Sequence, residues 1–356
     1  MDRVHFSFID WMKSLGMLLI VFGHVAGGSI EQFTPPIYPK QLGVAFFVFI
    51  TGWGLARESR NRLKVVYNRL FPVFFVGIGF AVVMSVIIFL TKRQLNLSNY
   101  LPFLLGVNVL VDNFPANPTT WYIGTYIHIL IFWALLLYRL RVRMWMVAAA
   151  AVTEILYRAA MLDTGALYRT YMMLPNWITV FLFGMFMHDR TQENSKTSLL
   201  IYALSLVCLV MAWDFAARAV AFDAAFPFRN STSTTITGWG GFVIRASSVT
   251  FLYVIYTWLV FEITRRVKES AVVRFFARQT LFIFVAHMPI LFALQEFLPQ
   301  IIFNYWYRVT ISVLILYVGL AFLSEWIIRK CQLGMVRDTL WRVVQSERLL
   351  THIIRA

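Results

Sequence analysis

The chain has 356 residues, of which 60% are hydrophobic and 14% charged, with a mean hydropathy of +0.69. That balance excludes a soluble globular domain and predicts an all-α, polytopic helical membrane protein, in which lipid and helix–helix contacts replace a soluble core. A net charge of +15 would suggest nucleic acid in a soluble chain, but membrane topology explains it better here, so no nucleic-acid partner is expected. Cys208 lies in an apolar run and Cys331 in a polar tail, which leaves no disulfide framework and no metal-type spacing.

The first apolar run, 9–29, carries Asp10, Lys13, Met17, Ile20 and His24 on one helical face. Lys13 and His24 are 11 residues apart, three turns to within ~20° at ~100° per residue. Ionisable groups inside a span cost several kcal/mol unless they face protein or water, so by default they mark a working site. The plainer alternative, an interfacial Asp10–Lys13 ion pair with a packed His24, stays open at this point. The run lacks a small-residue cleavage site and reads as a retained span, not a signal peptide.

After a second run at 41–56 comes a basic stretch, 57–69, with Arg57, Arg60, Arg62, Lys64 and Arg69 opposed only by Glu58. It serves either to hold the loop inside against anionic lipid or to cradle phosphates, which arginine binds bidentately. Further runs follow at 70–91, 121–138, 144–160, 174–188, 197–213, 241–263, 279–298 and 305–328, ten in all. The run at 101–111 is too short to span and ends at Asp112 and a Pro-rich stretch, so it predicts a re-entrant or half-helix segment.

With the N-terminus placed inside, the six inner segments hold 2, 5, 3, 2, 5 and 6 Lys or Arg, 23 of the chain's 32. Positive-inside bias therefore predicts both termini in the cytoplasm. One membrane domain over 1–330 and a short basic cytoplasmic tail over 331–356 are expected.

Polar residues within the later runs are the remaining candidates. Glu154 and Arg158 stand four apart and form a plausible intramembrane pair, which explains them as well as substrate binding does. Asp214 and Arg218 make a similar pair at the start of the longest outer connection, 214–240. His287 precedes Met288-Pro289, where the missing N–H of Pro289 should kink the helix; a packing histidine is the alternative. Trp121 sits where it could stack on sugar.

Lys13-x10-His24 resembles the Arg/Lys-x10-His signature of the acyltransferase-3 family of membrane acyltransferases. Phe46, Phe47, Thr51 and Gly52 are similar to the family's second span, and Arg69-Leu70-Phe71-Pro72 to its basic loop running into the third. Thr120-Trp121-Tyr122 resembles the opening of a middle span, and 279–291 resembles a late span ending in a histidine, here His287. The sequence departs from the family's Arg-x-x-Arg, since Val66 stands three residues before Arg69; the partner must be Lys64 or Arg62, or be missing. Many members also carry an extracytoplasmic esterase-like domain, so this chain is expected to be a stand-alone member.

The resemblance implies an acyl-CoA donor, acetyl-CoA foremost, entering from the cytoplasm, and a saccharide or lipid-linked glycan hydroxyl accepting on the other side of a bacterial inner membrane. No bound cofactor or metal is expected. On that basis His24 is the expected general base, since a neutral imidazole with an ordinary pKa of about 6.5 suits the task; an acyl-histidine intermediate is not distinguished. Asp10 is expected to pair with Lys13, and Lys13 to touch the donor. Arg62, Lys64 and Arg69 are the expected acyl-CoA-binding residues. His24 and His287 should then face one polar passage with some of Trp121, Tyr122, Glu154 and Arg158. The alternative is a transporter or flippase using His24, Lys13 and the Glu154–Arg158 pair as a proton or substrate path.

Overall fold

The computed structural model describes residues 6–26, 39–56, 58–92, 106–107, 110, 120–166, 169–191, 197–219 and 238–346. In chain order the helices are α1 (Ser7–Val25), α2 (Pro39–Leu55), α3 (Arg62–Lys92), α4 (Thr120–Phe132), α5 (Met144–Asp163), the single turn α6 (Arg169–Met172), α7 (Ile178–His188), α8 (Leu199–Ala219), α9 (Gly238–Thr264), α10 (Ala271–Ile301), α11 (Tyr305–Val313), α12 (Leu320–Cys331) and α13 (Leu333–Ser346). A π-helical segment, Trp133–Leu137, prolongs α4, and a second, Leu314–Gly319, joins α11 to α12. A 3₁₀ turn, Leu174–Trp177, leads into α7.

Among the described residues, each of the ten apolar runs coincides with helix. Six stretches are long and apolar enough to cross a membrane, among them Ser7–Val25, Gly238–Thr264 and Tyr305–Cys331, and four shorter apolar helices accompany them. The protein is a polytopic helical membrane protein. The expected re-entrant segment 101–111 falls almost wholly outside the described residues, as do Arg57, the connection 112–119, residues 220–237 and the last ten residues of the tail; the side chains of Asp214 and Arg218 lie outside them too.

One boundary differs from the sequence expectation. The stretch 57–69 is not a loop throughout: α3 starts at Arg62, because the Asn61 side-chain oxygen accepts from the backbone N–H groups of Leu63 (2.9 Å) and Lys64 (3.2 Å). That is an N-cap, which satisfies donors the first turn would otherwise leave orphaned. The described part of the tail carries a further helix. Gln332, at φ 43°, ends α12, and α13 folds back so that the Tyr67 hydroxyl donates to the Arg337 carbonyl (3.0 Å) while the Tyr67 and Trp341 rings meet at 4.8 Å.

The centre of the bundle is α1 and α2. α1 packs on α2 and α10, α2 on α7, and α5 on both α7 and α9. Glycines allow the closest crossings. A Cβ on Gly43 would collide with the Gly16 carbonyl, and one on Gly52 or Gly184 with the carbonyls of Phe181 or Phe49. Backbones this near each other maximise dispersion contact where no hydrophobic effect drives helix pairing. The link between α2 and α3 is fastened to the end of α4. The buried Trp133 indole donates to the Leu55 carbonyl (3.2 Å), the Tyr138 hydroxyl to Arg60 (2.9 Å), and Arg62 Nη1 to Ala134 (3.3 Å).

Candidate active site

The face of α1 that the spacing singled out points into the bundle and meets two sites along its length. At the C-terminal end, His24 lies against His287 of α10, with ring centroids 5.3 Å apart and planes at 49°. His287 is fully buried. Its Nδ1 sits 3.1 Å from the Ile283 carbonyl and 2.9 Å from that of Phe284. Carbonyl oxygens only accept, so Nδ1 carries a hydrogen, and in the neutral ring Nε2 is the lone-pair nitrogen. Nε2 is buried and has no hydrogen-bond partner among the described residues.

Three turns earlier, Lys13 lines a cavity of about 340 Å³. Helical spacing builds its walls: Ile9 and Lys13 from α1, then Phe47, Ile50, Thr51 and Gly54, one continuous face of α2. Arg69, Pro72 and Val73 come from α3, Tyr122, Ile123 and Tyr126 from α4, and Thr280, Leu281 and Phe284 from α10. Arg69 Nη2 donates to the Gly54 carbonyl (3.3 Å), and a Cβ on residue 54 would come within 3.1 Å of that nitrogen. Lys13 and Arg69 are within electrostatic reach of each other across an otherwise apolar and hydroxyl-bearing space. Two cations facing one space favour an anion between them.

The remaining predicted residues separate. Asp10 does not stand alone with Lys13: its carboxylate lies 3.8 Å from Arg274 Nε at the start of α10. The expected donor trio also divides. Arg69 reaches the cavity, Arg62 and Lys64 are exposed, and Arg62 Nη1 donates to the Ala134 carbonyl. Lys64 faces Asp338 of α13, whose carboxyl is held below the usual range first by Arg337 and then by Lys64 and Arg342. Tyr122 lines the cavity, whereas Trp121 stacks on Trp177 (6.1 Å) and meets Tyr171 edge-on.

Glu154 and Arg158 do pair, at 2.9 Å, both fully buried, but in a closed network. Arg158 Nε donates to Thr170 (3.1 Å), Nη1 to Ala246 (3.4 Å) and the Thr250 hydroxyl (2.6 Å), and Nη2 to Asn176 (2.9 Å). Glu154 accepts from the Thr179 N–H (3.1 Å) and the Thr250 hydroxyl (3.0 Å). Neither residue lines the cavity, and neither do His24 and His287. Of the residues expected along one polar passage, Tyr122 lines the cavity with Lys13, while His24 and His287 meet each other and are not part of that lining.

Sequence reasoning missed Tyr126 and Phe284 as lining residues. Both carried a signal: Tyr126 is four residues after Tyr122, and Phe284 three before His287, so each shares a helical face with a residue already chosen. Among the described residues, no group of three or more His, Cys, Asp or Glu could hold a metal ion. A family model described as an acyltransferase domain matches residues 6–330. Comparison with curated proteins and with solved structures returns no match.

Proposed function

Because the chain belongs to the acyltransferase-3 family, we propose that it moves an acyl group, acetyl foremost, from cytoplasmic acyl-CoA to a hydroxyl of a cell-envelope or exported saccharide at a bacterial inner membrane. The observation that carries the reading is the His24–His287 contact, at one end of a helical face whose other end, Lys13, shares a cavity with Arg69. Lys13 and Arg69 are suited to the phosphates of the donor, and the apolar walls beyond them to its arm.

In the reaction, the acceptor hydroxyl gives its proton to His24 as its oxygen attacks the thioester carbonyl carbon. The tetrahedral adduct collapses, the C–S bond breaks, and the departing thiolate takes the proton back from the imidazolium. His287 assists without taking the proton: with Nδ1 held by two carbonyls, Nε2 is an acceptor beside the ring that becomes cationic. The rival reading, transport, draws on His24 and Lys13 together with Glu154 and Arg158, and the last two already hydrogen-bond within the protein.

The test is glycan acylation in cells that carry His24→Ala. Loss of a general base should lower transfer by roughly 10²–10⁴-fold, with the amount of protein in the membrane unchanged. Wild-type acylation by that variant would remove His24 from the mechanism.

A further inference from the structure

The lining of the cavity that holds Lys13 and Arg69 does not include the histidines, and part of it is aromatic. Tyr122 and Phe284 both line it and meet edge-to-face, with centroids 5.6 Å apart and planes at 71°. On its far side the Phe284 ring is 6.1 Å from His287. Phe47 flanks Tyr122 at 6.5 Å. Both members of the pair are nearly inaccessible, at 9% for Tyr122 and 8% for Phe284. Phe284 thus borders both the cavity of the two cations and His287, whose ring in turn meets His24.

We propose that Tyr122 and Phe284 are an acyl-size filter, closing the donor cavity so that only a short acyl chain presents its carbonyl to the histidines. The proposal rests on reading the Lys13–Arg69 cavity as the donor site. Its physical basis is steric. Apart from the hydroxyls of Thr51, Tyr126 and Thr280 the walls are apolar away from the two cations, so they do not repel a hydrocarbon chain, and discrimination falls to the space left by the two rings. Misfit by a single methylene in such a pocket is worth roughly 10- to 200-fold. Phe284 also links the filter to the site, since its backbone carbonyl holds His287 Nδ1. Because that acceptor is main chain, replacing the Phe284 side chain leaves it in place.

The experiment measures binding of acetyl-, butyryl- and hexanoyl-coenzyme A to the full chain in detergent. Wild-type affinity should fall by at least roughly 10-fold from acetyl to hexanoyl, and Phe284→Ala should abolish most of that fall. Phe284→Leu should act in the same direction by less, and Phe284→Tyr, which keeps the ring and adds an oxygen, should sharpen the discrimination. The graded series keeps the trend readable if one variant does not fold. Arg69→Gln serves as the separate arm and should weaken all three thioesters alike. A flat wild-type profile, or one that the Phe284 variants leave unchanged while Arg69→Gln weakens binding, overturns the filter and spares the donor site. Undiminished binding by Arg69→Gln overturns both.

Discussion

Arg158 has five N–H groups and uses all of them inside the protein. One goes to Thr170, two to Ala246 and Thr250, and two to Asn176 and Glu154. A guanidinium so engaged has nothing to offer a substrate without breaking what it already holds. It ties α5 to α9 and to the segment before α7, and we expect it to act on stability. Removing one partner of a buried ion pair strands the other charge and costs about 3–5 kcal/mol. Arg158→Ala should therefore lower the melting temperature in detergent sharply, more than Glu154→Gln, which keeps a hydrogen-bonding group. A variant with wild-type stability and lost transfer would return Arg158 to the substrate site. The pairing of Glu154 with Arg158 was legible because both sit on one helix, four residues apart. Its saturation was not, because the acceptors come from segments up to 92 residues away. The same distance limit hid the contact of Asp10 with Arg274.

Helices were legible in this sequence as far as hydropathy and periodicity carry information, and their crossings were not. The start of α3 depended on one capping side chain, Asn61, which a scan for apolar runs passes over because the first turn behind it is basic. The tight crossing of α2 and α7 depends on Gly52 and Gly184, whose role appears only when the two helices are side by side. Gly52→Ala puts a methyl group onto the Phe181 carbonyl, and backbone cannot yield as a flexible side chain can. Overpacking of this kind typically costs about 1–3 kcal/mol, against a gain of roughly 0.5–1 kcal/mol for alanine over glycine in a helix. Gly79 of α3 is the control, since a Cβ there meets nothing within 4 Å. Thermal denaturation in detergent should show Gly52→Ala destabilised and Gly79→Ala unchanged or slightly more stable. Equal effects at the two positions would mean that the α2–α7 crossing is looser than drawn.

At the scale of the molecule, charge bias and packing agree on which segments belong together. The basic segments are laced to one another by side-chain contacts. Trp11 of α1 donates to the Lys268 carbonyl (3.1 Å), Arg265 Nη1 to that of Thr191 (3.1 Å), and Arg141 pairs with Asp189 at 3.2 Å. The Tyr138 hydroxyl reaches Arg60, and Tyr67 reaches α13. The described parts of all six therefore gather at one end of the bundle, the end at which α1 with Lys13 and α3 with Arg69 begin. Thr164, after α5, and Phe303, after α10 and 89% exposed, lie beyond the far ends of helices that start there. If the basic end is cytoplasmic, single cysteines at Ser59 and Lys268 should react with a membrane-impermeant maleimide only after cells are opened. Cysteines at Thr164 and Phe303 should react in intact cells. Cys208 and Cys331, both exposed, must first be replaced by serine. The opposite labelling pattern would turn Lys13 and Arg69 away from the compartment where coenzyme A thioesters are made. The donor could not then enter as proposed, whatever the chemistry of His24.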